Sequence, residues 1–276
     1  MFIVDAQVHI WGPNTPERPW KPGRKAQRPQ PFGAAELLRE MDAAGVDRVV
    51  IVPPSIEGGR NDLAIEAVQQ HPGRFAIMGR LELDDPAARG LLARWRDQPG
   101  MLGLRINFKS ELKRLPSDPA FDGFWVEAEQ AGVPVFCSVT QADAHAVKTV
   151  AQRHPELRLT VDHLGIVSDK EKDEEAFRNL NQLLAIADCG NVAVKVSAMP
   201  CYASEGYPYR SLHPYLRRVH EHFGPKRMFW GSDLSRLRGP YRECVTMFTE
   251  QMPWLGAGDL EWIMGRGLCE WLDWTI

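Results

Sequence analysis

The 276-residue sequence predicts an α/β fold, a single TIM-type (β/α)8 barrel domain over residues 1–276. Eight short apolar runs recur along the chain, and each is followed by a segment with helical spacing. Several runs are apolar on both faces and rich in Val, Ile, Phe and Leu, as parallel strands covered on both sides must be. The length suits one barrel, and no composition break or low-complexity tract divides it. An open doubly wound sheet is the alternative, but no glycine-rich phosphate loop follows the first run.

Strands are expected at 2–9, 48–53, 75–81, 102–106, 133–139, 157–163, 192–197 and 228–232. The first is followed by a Pro-rich, charged loop over 12–31. Residues 34–44 and 62–70 then carry Leu37, Leu38 and Met41, and Leu63, Ile65, Ala67 and Val68, on helical stripes. Asp118 before Pro119 is an N-cap followed by proline at the first helical position, ahead of Phe124, Trp125 and Ala128. Gly45 and Gly132 stand where helix C-caps precede a strand. Helices are further expected at 143–153, 174–187, 212–223, 241–251 and 259–272. Trp254, Trp262, Trp271 and Trp274 either pack this last helix against the barrel bottom or form a dimer contact, so oligomeric state stays open.

A formal net charge of -3 gives no global reason to expect nucleic-acid or membrane binding. The five cysteines are odd in number and lack CxxC spacing, which argues against a disulfide framework or zinc knuckle. No basic-then-apolar leader opens the sequence and no run reaches a membrane span, so a cytoplasmic protein is expected.

A β/α barrel places its chemistry at the C-terminal ends of its strands. Asp5, Gln7 and His9 alternate along strand 1, and period two points all three into the mouth. Strand 4 ends in Arg105 and Asn107, strand 5 near Ser138 and Thr140, and strand 6 in Asp162 and His163. Strand 7 carries Lys195 and Ser197, and strand 8 ends in Ser232 and Asp233, followed by Arg236. By the same alternation Asp162 points away from His163 and is structural. Each residue alone has an ordinary structural reading, but buried polar groups are costly unless paired, so their convergence marks a site. The loops after strands 1, 4 and 8 are basic: Arg18, Lys21, Arg24, Lys25 and Arg28 against Glu17; Lys109, Lys113 and Arg114 against Glu111; and Arg236 and Arg238. Such a rim suits a small anionic, carboxylate-bearing substrate.

The ordered motifs DAQVHIW, GLRIN, VDHLG, VKVS and WGSD resemble the amidohydrolase superfamily, and within it the branch of lactonases and related amidohydrolase-2 proteins. The resemblance spans nearly the whole chain. It implies a distorted β/α barrel whose ligand-bearing strand 1 reads Asp-x-His-x-His, with further ligands from strands 5, 6 and 8. His9, His163 and Asp233 match that pattern; Gln7 stands in place of the first strand-1 His, and the strand-5 position around Cys137 and Ser138 has no His. Gln is a weak neutral ligand, so no cofactor is expected, with one divalent zinc or manganese ion on His9, His163 and Asp233 as the alternative.

The expected reaction is hydrolysis of a carboxylate-bearing lactone or related cyclic ester. Asp233 would act as general base on water, and His9, His163 and the Gln7 amide would donate to the developing oxyanion. Arg105, Arg236 and Asn107 would hold the substrate, with Tyr207 or Tyr209 closing over it. Trp11, Trp20, Phe108 and Tyr202 are further aromatic rim candidates. Rival readings are a metal-dependent decarboxylase of the same superfamily and a barrel that only binds a small acid. A hydrolase using Cys137 or Cys201 as nucleophile lacks any supporting elbow motif.

Overall fold

The computed structural model describes residues 1–83, 90–166 and 168–275, without the side chains of Ser110 and Glu111, so Glu111's expected part in the rim lies outside the described residues. Eight parallel strands follow one another in chain order: β1 (Val4–Val8), β2 (Arg48–Ile51), β3 (Phe75–Gly79), β4 (Met101–Asn107), β5 (Val135–Ser138), β6 (Leu159–Val161), β7 (Val192–Ser197) and β8 (Met228–Gly231). This is a nearly closed (β/α)8 barrel. Between strands lie α1 (Ala34–Ala44), α2 (Asp62–Gln70), α3 (Asp122–Gln130), α4 (Ala144–Arg153), α5 (Asp173–Ala176), α6 (Leu180–Leu184) and α7 (His213–Phe223). After β8 come α8 (Tyr241–Thr249), α9 (Ala257–Glu261) and α10 (Gly267–Leu272), the last two joined by a π-helical turn at Trp262–Arg266. No helix among the described residues is long and apolar enough to cross a membrane.

The caps follow the sequence logic. Gly45 ends α1 in the left-handed conformation, and the Asp118 carboxylate accepts from Ala120 N with Pro119 at the first helical position. Two expectations fail locally. The helix expected over 174–187 breaks into α5 and α6, and the Asp118 cap serves a 3-10 turn, Pro119–Phe121, that leads into α3.

Two apolar layers hold the barrel. The larger packs the outer strand faces against the helices; the smaller fills the barrel bottom with Val4, Ala6, Val50, Met78, Phe136 and Phe229, plugged by Leu268 and Leu272 of α10. Trp271 and Trp274 pack on that plug, which is the first of the two roles open to them.

The pairing of β1 with β2 is irregular. Register slips by one residue between Asp5 and Val8, which breaks the alternation along β1. Asp5 therefore does not share a face with Gln7 and His9, as period two predicts. Its carboxylate accepts from Gln7 N and Ser232 N, both at 2.9 Å, and from the Tyr241 hydroxyl of α8 at 2.5 Å. Together with Asp233 N donating to Gln7 O at 2.9 Å, this side chain joins β1 to β8. A side chain on Gly231 would meet Asp5 Oδ1 at 3.2 Å and Gln7 N at 3.3 Å, so the glycine of WGSD lets the seam close.

Candidate active site

The C-terminal strand ends surround a cavity of about 220 Å³, lined among others by His9, Arg105, Asn107, Asp162, His163, Asp233 and Arg236. Four residues without glycine's freedom adopt left-handed backbone there: His163 (φ 51°), Leu164 (φ 52°), Ala198 (φ 60°) and Asp233 (φ 50°). Each costs on the order of 1–2 kcal/mol, and such strain concentrates at functional sites. Gly165, at φ +70° and with Gln141 N only 2.7 Å from any added Cβ, completes the turn that presents His163.

That turn overturns one expectation. β6 stops at Val161, and the left-handed turn cancels strand alternation, so Asp162 and His163 both reach the cavity. Asp162 is a buried hub. Its Oδ2 accepts from Arg105 Nε at 2.9 Å, and its Oδ1 lies 2.6 Å from Lys195 Nζ. Burial alone would raise its pKa, but Lys195 and Arg105 hold it well below the usual carboxylate range. Lys195 is fully buried, 4.0 Å from the centre of the Phe136 ring. Burial pulls its pKa down against the attraction of Asp162.

Asp233 is the centre of the mouth. Its Oδ2 accepts from Arg236 Nη1 at 3.1 Å and lies 3.8 Å from His163 Nε2, while its Oδ1 lies 3.5 Å from His9 Nε2. Oδ1 is buried and receives no hydrogen bond among the described residues. Burial opposes its charge most, but Arg236, His9 and His163 together outweigh it and its pKa stays below the ordinary value. Burial favours the neutral form of both imidazoles: it lowers the pKa of His9, and that of His163 to about 3. His163 Nδ1 meets Ser197 Oγ at 2.7 Å, and His9 Nδ1 meets Val52 O at 2.5 Å.

Other expected residues are placed differently. Gln7 is fully buried and does not line the cavity; its Oε1 lies 2.5 Å from Lys195 Nζ and its Nε2 3.2 Å from His9 Nε2. Tyr207 and Tyr209 do not line the cavity. Tyr209 donates to Glu243 of α8 at 3.1 Å, and Tyr207 is exposed beside it with ring centres 6.0 Å apart. Arg105 lines the cavity but gives its Nε to Asp162. Ser138 also lines the wall; Trp11 alone among the aromatic candidates does so.

The basic rim is thinner than its sequence. Arg18 pairs with Glu57 and Asp62, Lys21 with Glu82, Arg28 with Glu40, Arg114 with Asp118, and Arg238 with Asp169. The pairs of Arg18, Lys21 and Arg28 tie down the 12–31 loop, which supplies Lys25 and Gln27 to the cavity wall. Lys25 and Lys109, which face the cavity with Arg105 and Arg236, have no acidic partner among the described residues.

The donor set fits a metal poorly. The strand-1 position that would offer a second imidazole offers an amide N–H2 instead, and one Asp233 oxygen is taken by Arg236. Among the described residues no three His, Cys, Asp or Glu side chains are disposed to hold an ion.

Comparison with known proteins agrees with this architecture. Similar sequences include 4-sulfomuconolactone hydrolase of Hydrogenophaga intermedia, 26% identical over 83% of this chain and 73% of that protein. L-fucono-1,5-lactonase of Burkholderia ambifaria is 28% identical over 87% of this chain and 83% of its own. A crystal structure of an amidohydrolase from Burkholderia multivorans with bound Zn shares the fold, with a TM-score of 0.82 at 19% identity and 99% of both chains covered. The amidohydrolase family profile matches residues 4–266, nearly the whole barrel, and the chain therefore belongs to the amidohydrolase family as a hydrolase-type enzyme.

Proposed function

We propose that the enzyme hydrolyses a small lactone bearing a carboxylate or similar anionic group, without a metal. One observation carries this reading: a charged Asp233 in the mouth has one oxygen anchored by Arg236 and the other buried with no donor, beside a cationic wall. An anchored carboxylate with a second, unoccupied acceptor is suited to take a proton from water. The water oxygen would add to the lactone carbonyl carbon, and its proton would pass to Asp233 Oδ1. With Ser197 donating to His163 Nδ1, His163 presents Nε2–H toward the negative charge that develops on the carbonyl oxygen. As the ring C–O bond breaks, the leaving oxygen takes the proton back from Asp233, giving a hydroxy acid. Arg236, Arg105, Lys25 and Lys109 would bind the substrate's anionic group, with Asn107 beside them. Two sequence relatives, 4-sulfomuconolactone hydrolase and L-fucono-1,5-lactonase, are named for reactions on lactones, which supports the class of reaction.

The test is acid release, followed with a pH indicator, across a panel of carboxylate-bearing lactones, before and after chelation. Turnover that survives chelation is expected, and Asp233→Asn should lower kcat by about 10²–10⁴-fold. Complete loss on chelation restored by zinc or manganese would transfer His9, His163 and Asp233 to a metal-dependent mechanism. Chelator-sensitive carbon dioxide release from an aromatic acid would make the enzyme a decarboxylase. Binding of such acids without turnover of any lactone would leave only a binding barrel.

A further inference from the structure

The proposed reaction gives no task to the fully buried Lys195, yet its contacts end at the reacting centre. Lys195 Nζ touches two acceptors, Asp162 Oδ1 at 2.6 Å and Gln7 Oε1 at 2.5 Å. An ammonium can only donate, so it fixes which end of the Gln7 amide faces it. The amide N–H2 is thereby turned to His9, with Gln7 Nε2 3.2 Å from His9 Nε2. On the far side of the ring, His9 Nδ1 faces the Val52 carbonyl, which accepts only from an N–H. Both constraints select one neutral tautomer of His9, protonated on Nδ1 and bare on Nε2.

We propose that Lys195 is a positioning residue which, through Gln7, holds His9 Nε2 as a hydrogen-bond acceptor beside Asp233 Oδ1. The inference rests on the hydrolytic reading above and deepens it. The single lone pair of His9 Nε2 is taken by the Gln7 amide, so no N–H of His9 points at Asp233 Oδ1, 3.5 Å away, and that oxygen is kept free of a protein donor to receive a hydrogen of the attacking water. With a bare Nε2, His9 has no hydrogen there to give to the carbonyl, a task left to His163. The residue at position 7 has a reason for its chemistry: glutamine can accept from a cation at one end and donate to an imidazole at the other. A carboxylate of the same shape cannot donate at all.

Long-range 1H–15N spectra of the imidazoles in the full chain at neutral pH test this, with His9 assigned from the peaks lost in His9→Gln. Wild-type His9 should show a protonated Nδ1 and an unprotonated Nε2. In Gln7→Glu, which keeps an acceptor for Lys195, Nε2 should become protonated. In Lys195→Met the amide is free to turn, and the two tautomers should mix. If wild type turns over lactone, Gln7→Glu should lower kcat by about 10–100-fold with KM within about 2-fold. A wild-type His9 protonated on Nε2, or one whose tautomer is unchanged in Gln7→Glu, overturns the proposal. Should Lys195→Met fail to fold, the wild-type and Gln7→Glu spectra decide alone. The spectra need no turnover, so a chain that hydrolyses no lactone would defeat the hydrolytic reading while the tautomer result stood separately.

Discussion

Arg236 has two tasks that compete. It holds the Asp233 carboxylate at 3.1 Å, and it lines the cavity where a substrate carboxylate would sit. Its charge is the main attraction that keeps Asp233 below the ordinary carboxylate pKa against burial. Arg236→Met should therefore raise KM for a carboxylate-bearing lactone, and a pH profile of kcat/KM should show its acid limb moved to higher pH. An unmoved limb would mean that Asp233 is not the base that titrates there. At this scale the sequence was informative about strand ends and blind to turns. His9, His163, Asp233 and Arg236 were legible because polar residues ending apolar strands have few structural uses. Asp162 was misread because a left-handed residue at His163 cancels alternation, and no periodicity reports a turn. Lys195 was visible on its strand, but its partners come from strands 1 and 6, which only the closed barrel brings together.

At the scale of elements, the β1–β8 seam depends on one side chain. Asp5 receives two backbone N–H groups and a tyrosine hydroxyl. Asp5→Ala would bury those donors without partners, at about 1–3 kcal/mol each. Asp5→Asn keeps an acceptor for the two N–H groups. Urea denaturation should show a large loss of stability for Asp5→Ala and a clearly smaller one for Asp5→Asn; equal losses would refute the seam role. Strand and helix positions were largely legible, since apolar runs and caps are local signals. The split of the 174–187 helix into α5 and α6 and the slip in β1 were not, because each answers to the neighbour it packs against. Tyr209 shows the same limit: a rim aromatic by sequence, it is committed to Glu243 on α8.

For the whole molecule, buried charge sets the response to pH. His163, lowered from an ordinary 6.5 to about 3, stays neutral in the fold but takes a proton when unfolded below 6.5. The unfolded chain then binds more protons, so this stabilisation is complete above 6.5 and is lost as pH falls toward 3. His9 acts in the same direction. Asp162 and Asp233, both lowered, add stability above about 4 that is lost on further acidification. Asp5 opposes them: raised to about 6, it holds a proton in the fold and costs stability as pH rises from about 4 through 6. Calorimetry of the metal-free protein should show Tm falling between pH 6.5 and 4; a Tm that rises on acidification would contradict the neutral buried histidines. The sequence by itself determined the barrel, its strand order and the residues at its mouth, because periodicity, caps and strand-end polarity are properties of neighbours along the chain. Only the tertiary structure decided which of those residues meet. Closure of the barrel brings strands 1, 6 and 7 together around Lys195, and burial there sets the direction in which each charged group is shifted and leaves one Asp233 oxygen without a donor among the described residues.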